Sequence, residues 1–199
     1  KLTVACMDVP VKDASAFGVM GIAENGLVKS FVEKPENPPT LPDDKAKSLA
    51  SMGIYIFDMD VLKEALTEDA KLETSSHDFG NDIIPKLIDT ESVYAYKFCG
   101  SKGRVDKDCY WRDVGTIDSF YEANMELLEP VPPMNLYQSN WAIRTYEPQF
   151  PPARTVSSAT GNEGIFINSI IATGVINSGG SVQHSIMSSN VRIQDSATV

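Results

Sequence analysis

The sequence predicts an α/β domain followed by the first coils of a parallel β-helix. Three observations predict it. Strand-like and helix-like segments alternate over residues 1–130, the pattern of an α/β domain. Six prolines then fall between Pro130 and Pro152, where apolar periodicity is lost. The last forty residues turn rich in Ser, Asn, Gly, Ile and Val, with aliphatic residues spaced by six. The expected division is therefore 1–130 as an α/β domain, 131–160 as a proline-rich linker and 161–199 as the start of the β-helix.

Taken in order, "LTVACMDV" reads as a buried strand. "GVMGIAENGLVKSFVE" reads as two strands joined through Glu24-Asn25-Gly26, because Asn-Gly supplies the positive φ angles of a tight hairpin turn. "LASMGIYIFD" is apolar almost throughout and is expected to be buried on both faces. "MDVLKEALTED" has helical spacing, with Val61, Leu62, Ala65 and Leu66 on one side and Asp58 or Asp60 as the cap. In "SSHDFGNDIIPKL", Asp78 is expected to start a short helix that Pro85 bends or ends. "SVYAYKF" alternates strictly and reads as a strand. "GTIDSFYEANMELLE" places Ile117, Phe120, Tyr121, Met125 and Leu128 along one side of a helix.

The proline-rich stretch carries Trp141, Ile143, Tyr146 and Phe150, too apolar for a free tether, so an ordered linker wrapped over a neighbour is expected. Beyond it, Ile170, Ile176 and Val182 are spaced by six. After a slip of one, Met187, Ile193 and Val199 are again spaced by six. Such hexads, separated by small residues, mark a solenoid whose coils bury their faces against one another.

The net charge of −10 argues against nucleic acid as the main partner, since phosphate backbones demand clustered Lys and Arg. A small phosphate-bearing substrate needs only a few local cations. Nothing in the sequence has the length of a membrane span. Cys6, Cys99 and Cys109 form no paired framework, which points to free thiols in a reducing, cytoplasmic setting. With His77 and His184 as the only histidines, neither a zinc site nor a Ser/His/Asp triad is expected. "CGSKGR", Cys99 to Arg104, lacks P-loop spacing and reads as a surface hairpin loop. Asp78-Phe79-Gly80 is the kinase metal tripeptide without any other kinase motif.

Two positions stand out for chemistry. Lys34, in "FVEKPENPP", closes an apolar run and precedes a proline. Proline biases its predecessor to an extended backbone and ends a strand ladder, which would hold Lys34 at a strand end on a sheet edge. There it is either a solvated surface lysine or a point charge for a phosphate. Asp113, in "YWRDVGTIDSFYEAN", is either a cap at the mouth of the following helix or a Mg²⁺ ligand.

Six segments in fixed order carry a wider resemblance. They are "ASAFGVM", "FVEKPENPP", "SLASMGIYIF", "SSHDFGNDIIPKLI", "YWRDVGTIDSFYEAN" and "NWAIRTYEPQFPPAR". Together the chain resembles the bacterial glucose-1-phosphate adenylyltransferases, also called ADP-glucose pyrophosphorylases, over essentially its whole length. The resemblance implies a Rossmann-like nucleotidyltransferase domain followed by a left-handed β-helix. It implies formation of ADP-glucose and pyrophosphate from ATP and α-D-glucose 1-phosphate in glycogen synthesis, with Mg²⁺ as cofactor. It further implies an allosterically controlled homotetramer at full length.

By the same resemblance, Lys34 contacts the sugar phosphate and Glu33 the sugar hydroxyls. Gly18 lets backbone approach the glucose, Ser51 adds a further sugar contact, and Asp113 is one of two aspartates that hold Mg²⁺. The family's N-terminal glycine-rich signature and its first metal aspartate are not in the sequence. A fragment that is inactive alone is therefore expected. A UTP- or GTP-using sugar nucleotidyltransferase and a non-catalytic assembly subunit are the rival readings.

Overall fold

Leu2, Val4 and Cys6 point one way along the first strand and are fully buried, while Thr3, Ala5 and Met7 between them are only partly covered. The strand lies inside a mixed sheet, with a neighbour on each side. The computed structural model describes residues 1–98, 110–139, 142, 144–146 and 148–199, in two compact units, Lys1–Cys99 and Gly100–Val199. The expected surface loop Cys99 to Arg104, the thiol of Cys109, and Trp141 and Ile143 lie outside the described residues.

In the first unit, β1 (Leu2–Pro10) runs into a short helix α1 (Val11–Ala14), then β2 (Gly18–Ile22), β3 (Val28–Glu33) and β4 (Lys47–Phe57). Helix α2 (Met59–Asp69) follows, then a π-turn at Phe79–Ile83 continuing as α3 (Ile84–Thr90), and β5 (Val93–Lys97). The sheet order is β3-β2-β4-β1-β5, with β5 parallel to β1 and the other pairings antiparallel. Gly26, at φ +80°, makes the hairpin turn between β2 and β3 as its sequence requires. Asp58, not Asp60, caps α2, its carboxylate accepting from the Asp60 N–H.

Two expectations need correction here. Strand β4 is buried on both faces only over Ser48–Met52. Its second half runs past β2 and leaves Ile54 exposed and Ile56 72 % exposed. Pro85 does not end its helix. It occupies the first turn of α3, where proline is tolerated, and the helix runs on to Thr90.

The main core lies on one face of the sheet. Leu2, Val4, Cys6, Met20, Phe31 and Leu49 meet Ile83, Ile84 and Leu87 there, with Val61 and Ala65 of α2 packed alongside. Val19 and Ala50 point to the other face and meet Ala14 of α1.

In the second unit, α4 (Ile117–Met125) passes into a short 3₁₀ turn at Glu126–Leu128. Its expected apolar side is not a buried one. Ile117 is 88 % exposed, Phe120 and Tyr121 are exposed too, and Leu128 alone of the set is buried. Tyr146, expected to pack as part of the linker, is 88 % exposed, whereas Phe150 sits against Gly174. The first β-helix strand, β6 (Arg154–Val156), falls within the stretch expected as linker.

The solenoid consists of β6, β7 (Ile165–Ile167), β8 (Ile170–Ile171), β9 (Ile176–Ser178), β10 (Ser181–Gln183), β11 (Ile186–Met187) and β12 (Arg192–Ile193). These form three parallel ladders, β6-β9-β12, β7-β10 and β8-β11. Ile165 pairs with Ser181, Ile170 with Ile186 and Ile176 with Arg192, so this coil is 16 residues, shorter than three hexads, whereas β6 reaches its β9 partner, Arg154 to Ile176, over 22. The hexad frame is therefore corrected. Val182, Met187 and Ile193 do line the interior, but Ile171 and Val175 do so in place of Ile170 and Ile176. Val199 is exposed. Left-handed residues stand at the coil corners in the same rhythm, Asn168 with His184 and Gly174 with Asn190.

Asn177 is a polar side chain inside the coil with no exposure. Its Nδ2 donates to the Gly180 carbonyl at 2.9 Å and the Ile165 carbonyl at 3.2 Å, and its Oδ1 accepts from the Gly180 N–H at 2.9 Å. A buried backbone group left unpaired costs about 1–3 kcal/mol. Asn177→Ala should therefore destabilise the β-helix unit by at least about 1–3 kcal/mol. A chemical-denaturation curve with a midpoint equal to wild type would contradict this account of Asn177.

Candidate active site

The strand registers bring three of the sequence-predicted residues into one row. Gly18 of β2 pairs with Glu33 of β3. The β2–β4 register, Val19 with Ala50 and Met20 with Leu49, carries on to set Gly18 level with Ser51. Ser51 in turn pairs with Cys6 of β1. Directly paired residues project to the same face of a sheet. Glu33, Gly18 and Ser51 thus stand side by side on the core face, at the end of the β2–β3 hairpin away from its turn.

Glycine is required at the middle of this row. A Cβ on Gly18 would collide with the Phe31 ring and lie 2.7 Å from Glu33 Oε2. A Cβ on Gly80, in the π-turn, would collide with the same Glu33 oxygen. The Glu33 carboxylate therefore occupies a notch between two bare backbones. Burial pushes its pKa up, the nearby Asp78 carboxylate adds to this, and Lys34 pulls the other way.

Tyr55 faces the same side from β4. Burial raises its phenol pKa, although a hydrogen bond with Ser51 opposes the shift. Ser51 Oγ also accepts from the Gly53 N–H at 3.2 Å. Gly53, at φ +69°, carries the bulge at which the β1–β4 register slips.

Lys34 does not adopt the extended backbone expected of a residue before proline. Its φ is +46°, in the left-handed region, and its N–H donates to the Phe17 carbonyl at 3.0 Å. The β2–β3 ladder stops at Gly18 and Glu33, so this bond turns the chain out of the sheet. For a non-glycine residue such a conformation costs about 1–3 kcal/mol and persists only where the surroundings enforce it. The ammonium end is exposed beyond the end of an edge strand, as the sequence led one to expect.

Asp78, Phe79 and Gly80 form the wall opposite Glu33. Asp78 does start the turn, its Oδ1 accepting from the Gly80 and Asn81 N–H groups at 2.8 Å each. Phe79 stacks on Tyr55 with centroids 5.5 Å apart and tilts against Phe57 at 5.7 Å. The tripeptide thus serves as a turn anchored by an aromatic cluster.

Sequence reasoning missed the group behind this wall. Asp69, the last residue of α2, is 5 % exposed and accepts from three sides. Ser75 Oγ donates to Oδ1 at 2.8 Å, Lys86 Nζ to the same oxygen at 3.1 Å, and His77 Nδ1 lies 2.9 Å from Oδ2. The bonds to His77 and Ser75, then Lys86, hold the carboxyl down at about pKa 2. Ser, His and Asp are together here, but as an aspartate-centred cluster. Both Ser75 and His77 bond the carboxylate, and no bond from Ser75 Oγ to the imidazole activates the hydroxyl, so this is not a nucleophile triad. The only sequence signal was an i, i+6, i+8 spacing that no motif describes.

Asp113 belongs to the second unit. The cap of α4 is Thr116, whose Oγ1 accepts from the Ser119 N–H at 3.1 Å while Ser119 Oγ accepts from the Thr116 N–H at 3.2 Å. The helix-cap reading of Asp113 is therefore set aside. Its carboxylate is exposed and folds back toward Gly115. The segment before it is tied to the 3₁₀ turn, where Glu126 accepts from Tyr110 at 2.9 Å and pairs with Arg112. Burial pushes the Glu126 carboxyl up, but its bonds to Arg112 and Tyr110 outweigh this and hold it low. No cluster of three metal-ligating side chains occurs among the described residues, and no helix among them is long and apolar enough to cross a membrane.

A mixed α/β sheet with a polar row at one end, joined in one chain to a hexapeptide-type β-helix, defines the class. The chain belongs to the nucleotidyl transferase family, whose model matches residues 1–130. Residues 151–199 match the GlmU-like C-terminal hexapeptide family, consistent with a left-handed β-helix. The chain is 98 % identical over 199 residues to a Vibrio parahaemolyticus protein named glucose-1-phosphate adenylyltransferase 2, covering all of this chain and 49 % of that protein. It is 80 % identical over 191 residues to a Vibrio vulnificus protein of the same name, covering 96 % of this chain and 47 % of the relative. A Vibrio cholerae protein, again of that name, is 75 % identical over 198 residues, or 100 % of this chain and 49 % of the relative. The chain thus spans about half the length of the curated relatives it matches.

The depressed pKa of Asp69 makes a prediction about acid stability. A carboxyl whose folded pKa lies below its ordinary value of 3.8 stabilises the fold above that value, and the contribution is lost as pH falls toward about 2. Asp69→Asn should lower stability at neutral pH and flatten the decline between about pH 4 and 2. Equal wild-type and variant slopes in acid-titrated thermal melts would contradict it.

Proposed function

We propose that the protein, at the length of its relatives, transfers the adenylyl group of ATP to α-D-glucose 1-phosphate, giving ADP-glucose and pyrophosphate. The observation that carries this reading is the row of Glu33, Gly18 and Ser51 with Lys34 at its mouth. A carboxylate and a hydroxyl on either side of a bare glycine suit hydroxyls at separate positions of one sugar ring. A lysine one residue beyond the carboxylate suits the phosphate on the same molecule. The names of the three Vibrio relatives support the choice of glucose 1-phosphate and of an adenylyl donor.

In this reading Glu33 accepts from sugar hydroxyls, and its partial desolvation strengthens those bonds. Ser51 adds a further hydroxyl contact, and Gly18 leaves backbone open beside them. Lys34 neutralises the phosphate. A phosphate oxygen then attacks the α-phosphorus of ATP as the bond to the pyrophosphate oxygen breaks. The substrate supplies its own nucleophile, so positioning and charge stabilisation suffice. The absence of a Ser–His bond in the Asp69 cluster is compatible with that scheme.

Mg²⁺ fits the chemistry of Asp113. The carboxylate is exposed, released from capping by Thr116, and Mg²⁺ takes one or two carboxylates with phosphates and water completing its shell. Asp113 would hold the ion, which when bound disperses charge on the phosphates. The same reading takes the full-length protein as a cytoplasmic, allosterically controlled homotetramer. Residues 1–130 would be its nucleotidyltransferase part, followed by the proline-rich linker and then by the β-helix, whose first strand is β6.

Lys34→Ala, in a protein of the relatives' full length that carries this sequence, tests the reading. Loss of a charged hydrogen bond to phosphate should weaken the apparent affinity for glucose 1-phosphate about 10- to 150-fold. The ATP dependence should change little. An unchanged glucose 1-phosphate dependence in steady-state ADP-glucose synthesis would remove Lys34 from the site.

A further inference from the structure

We propose that the Asp69 cluster is a positioning device for Glu33, acting through the backbone of residues 75–80. The inference rests on the reading of Glu33 as a sugar-binding group.

The connection from α2 to the π-turn, residues 70–78, contains no helix or strand. Two carboxylates give it shape. Asp82, inside the turn, accepts from Ser76 Oγ at 2.5 Å and from the Asp78 N–H at 3.2 Å. Asp69, behind it, gathers Ser75, His77 and Lys86, and so joins the end of α2, the connection and α3.

His77 is the link that matters most. Its φ is +58°, a left-handed conformation that is uncommon outside glycine and persists where the surroundings hold it. The Nδ1 contact to Asp69 and the His77 N–H donated to Ser75 Oγ at 3.1 Å hold it here. The very next residue, Asp78, directs the Gly80 and Asn81 N–H groups, and Gly80 closes the notch on Glu33 Oε2. A shift of the His77 turn therefore moves the Gly80 backbone directly against the Glu33 carboxylate. Asp69 touches neither Glu33 nor the Gly18–Ser51 row. Its effect on the site passes through the turn.

The test uses a protein of the relatives' full length carrying this sequence, with His77→Ala, His77→Asn, Asp69→Asn and Glu33→Gln compared in steady-state kinetics. Asparagine keeps a side-chain N–H at the reach of Nδ1 and tolerates positive φ. His77→Ala and Asp69→Asn should raise KM for glucose 1-phosphate about 3- to 10-fold, with kcat and KM for ATP within about twofold of wild type. His77→Asn should restore most of the loss. If Glu33→Gln raises this KM while His77→Ala and Asp69→Asn do not, the positioning role is wrong and the site reading stands. If Glu33→Gln leaves the KM unchanged, the site reading itself fails. A parallel loss in kcat, both KM values and melting temperature would mark the cluster as structural only and overturn the proposal. Should Asp69→Asn fail to fold, His77→Ala and Ser75→Ala on the exposed side of the cluster decide the matter by the same KM split.

Discussion

The candidate site depends on one close approach, the Glu33 carboxylate seated between the backbones of Gly18 and Gly80. The first glycine is a sheet residue and the second belongs to the π-turn, so the contact pins two layers of the first unit together. Phe31, two residues before Glu33 on the same face, packs beneath Gly18 and belongs to the main core. Core packing thereby fixes the height of the carboxylate, and the absence of two Cβ atoms gives it room. A carboxylate in such a notch loses water on two sides, which is why burial leads the causes that raise its pKa.

The backbone around this contact departs from regular geometry where the side chains need it to. Lys34, immediately after Glu33, and His77, three residues before Gly80, both have positive φ. Each is held by a specific hydrogen bond, Lys34 to the Phe17 carbonyl and His77 to Asp69. On the far side of the row Gly53 takes its positive φ without strain and carries the bulge in β4, while Ser51 and Tyr55, four residues apart, share one face. Strain of this kind is stable only when surrounding packing overdetermines it. At the π-turn that follows His77, Phe79 contributes such packing, stacked on Tyr55 and tilted against Phe57.

Much of this was legible in the sequence, and the parts that were not share a cause. An apolar run revealed β1, strict alternation revealed β5, and Asn25-Gly26 revealed the hairpin, because those signals are local. The α/β domain and the solenoid followed from the same reasoning. Failures came where a local rule met a longer-range constraint. Pro35 should have kept Lys34 extended, but the Phe17 carbonyl captured its N–H. Apolar spacing put Ile170 and Ile176 inside the solenoid, but a coil of 16 residues moved the inward frame to Ile171, Val175 and Asn177. The helical face of Ile117, Phe120 and Tyr121 was read from period alone, and period does not say what covers it. The Asp69 cluster was invisible because its four members come from two helices and the loop between them.

The charge of the chain poses the remaining physical question, since a net −10 repels a polyanionic substrate at long range. The arrangement of acids in the first unit answers part of it. Asp69 is buried and paired with Lys86 and His77, Asp82 is bonded within its turn, and Asp78 spends its Oδ1 on backbone N–H groups. Their charges are tied to local donors. Long-range repulsion between exposed charges is screened beyond about 8–10 Å at ordinary ionic strength, so the nearest groups dominate what a phosphate meets. At the end of β3 that group is the exposed ammonium of Lys34, with Glu33 drawn back into its notch. An acidic chain can in this way present a cation at the point where a sugar phosphate would arrive.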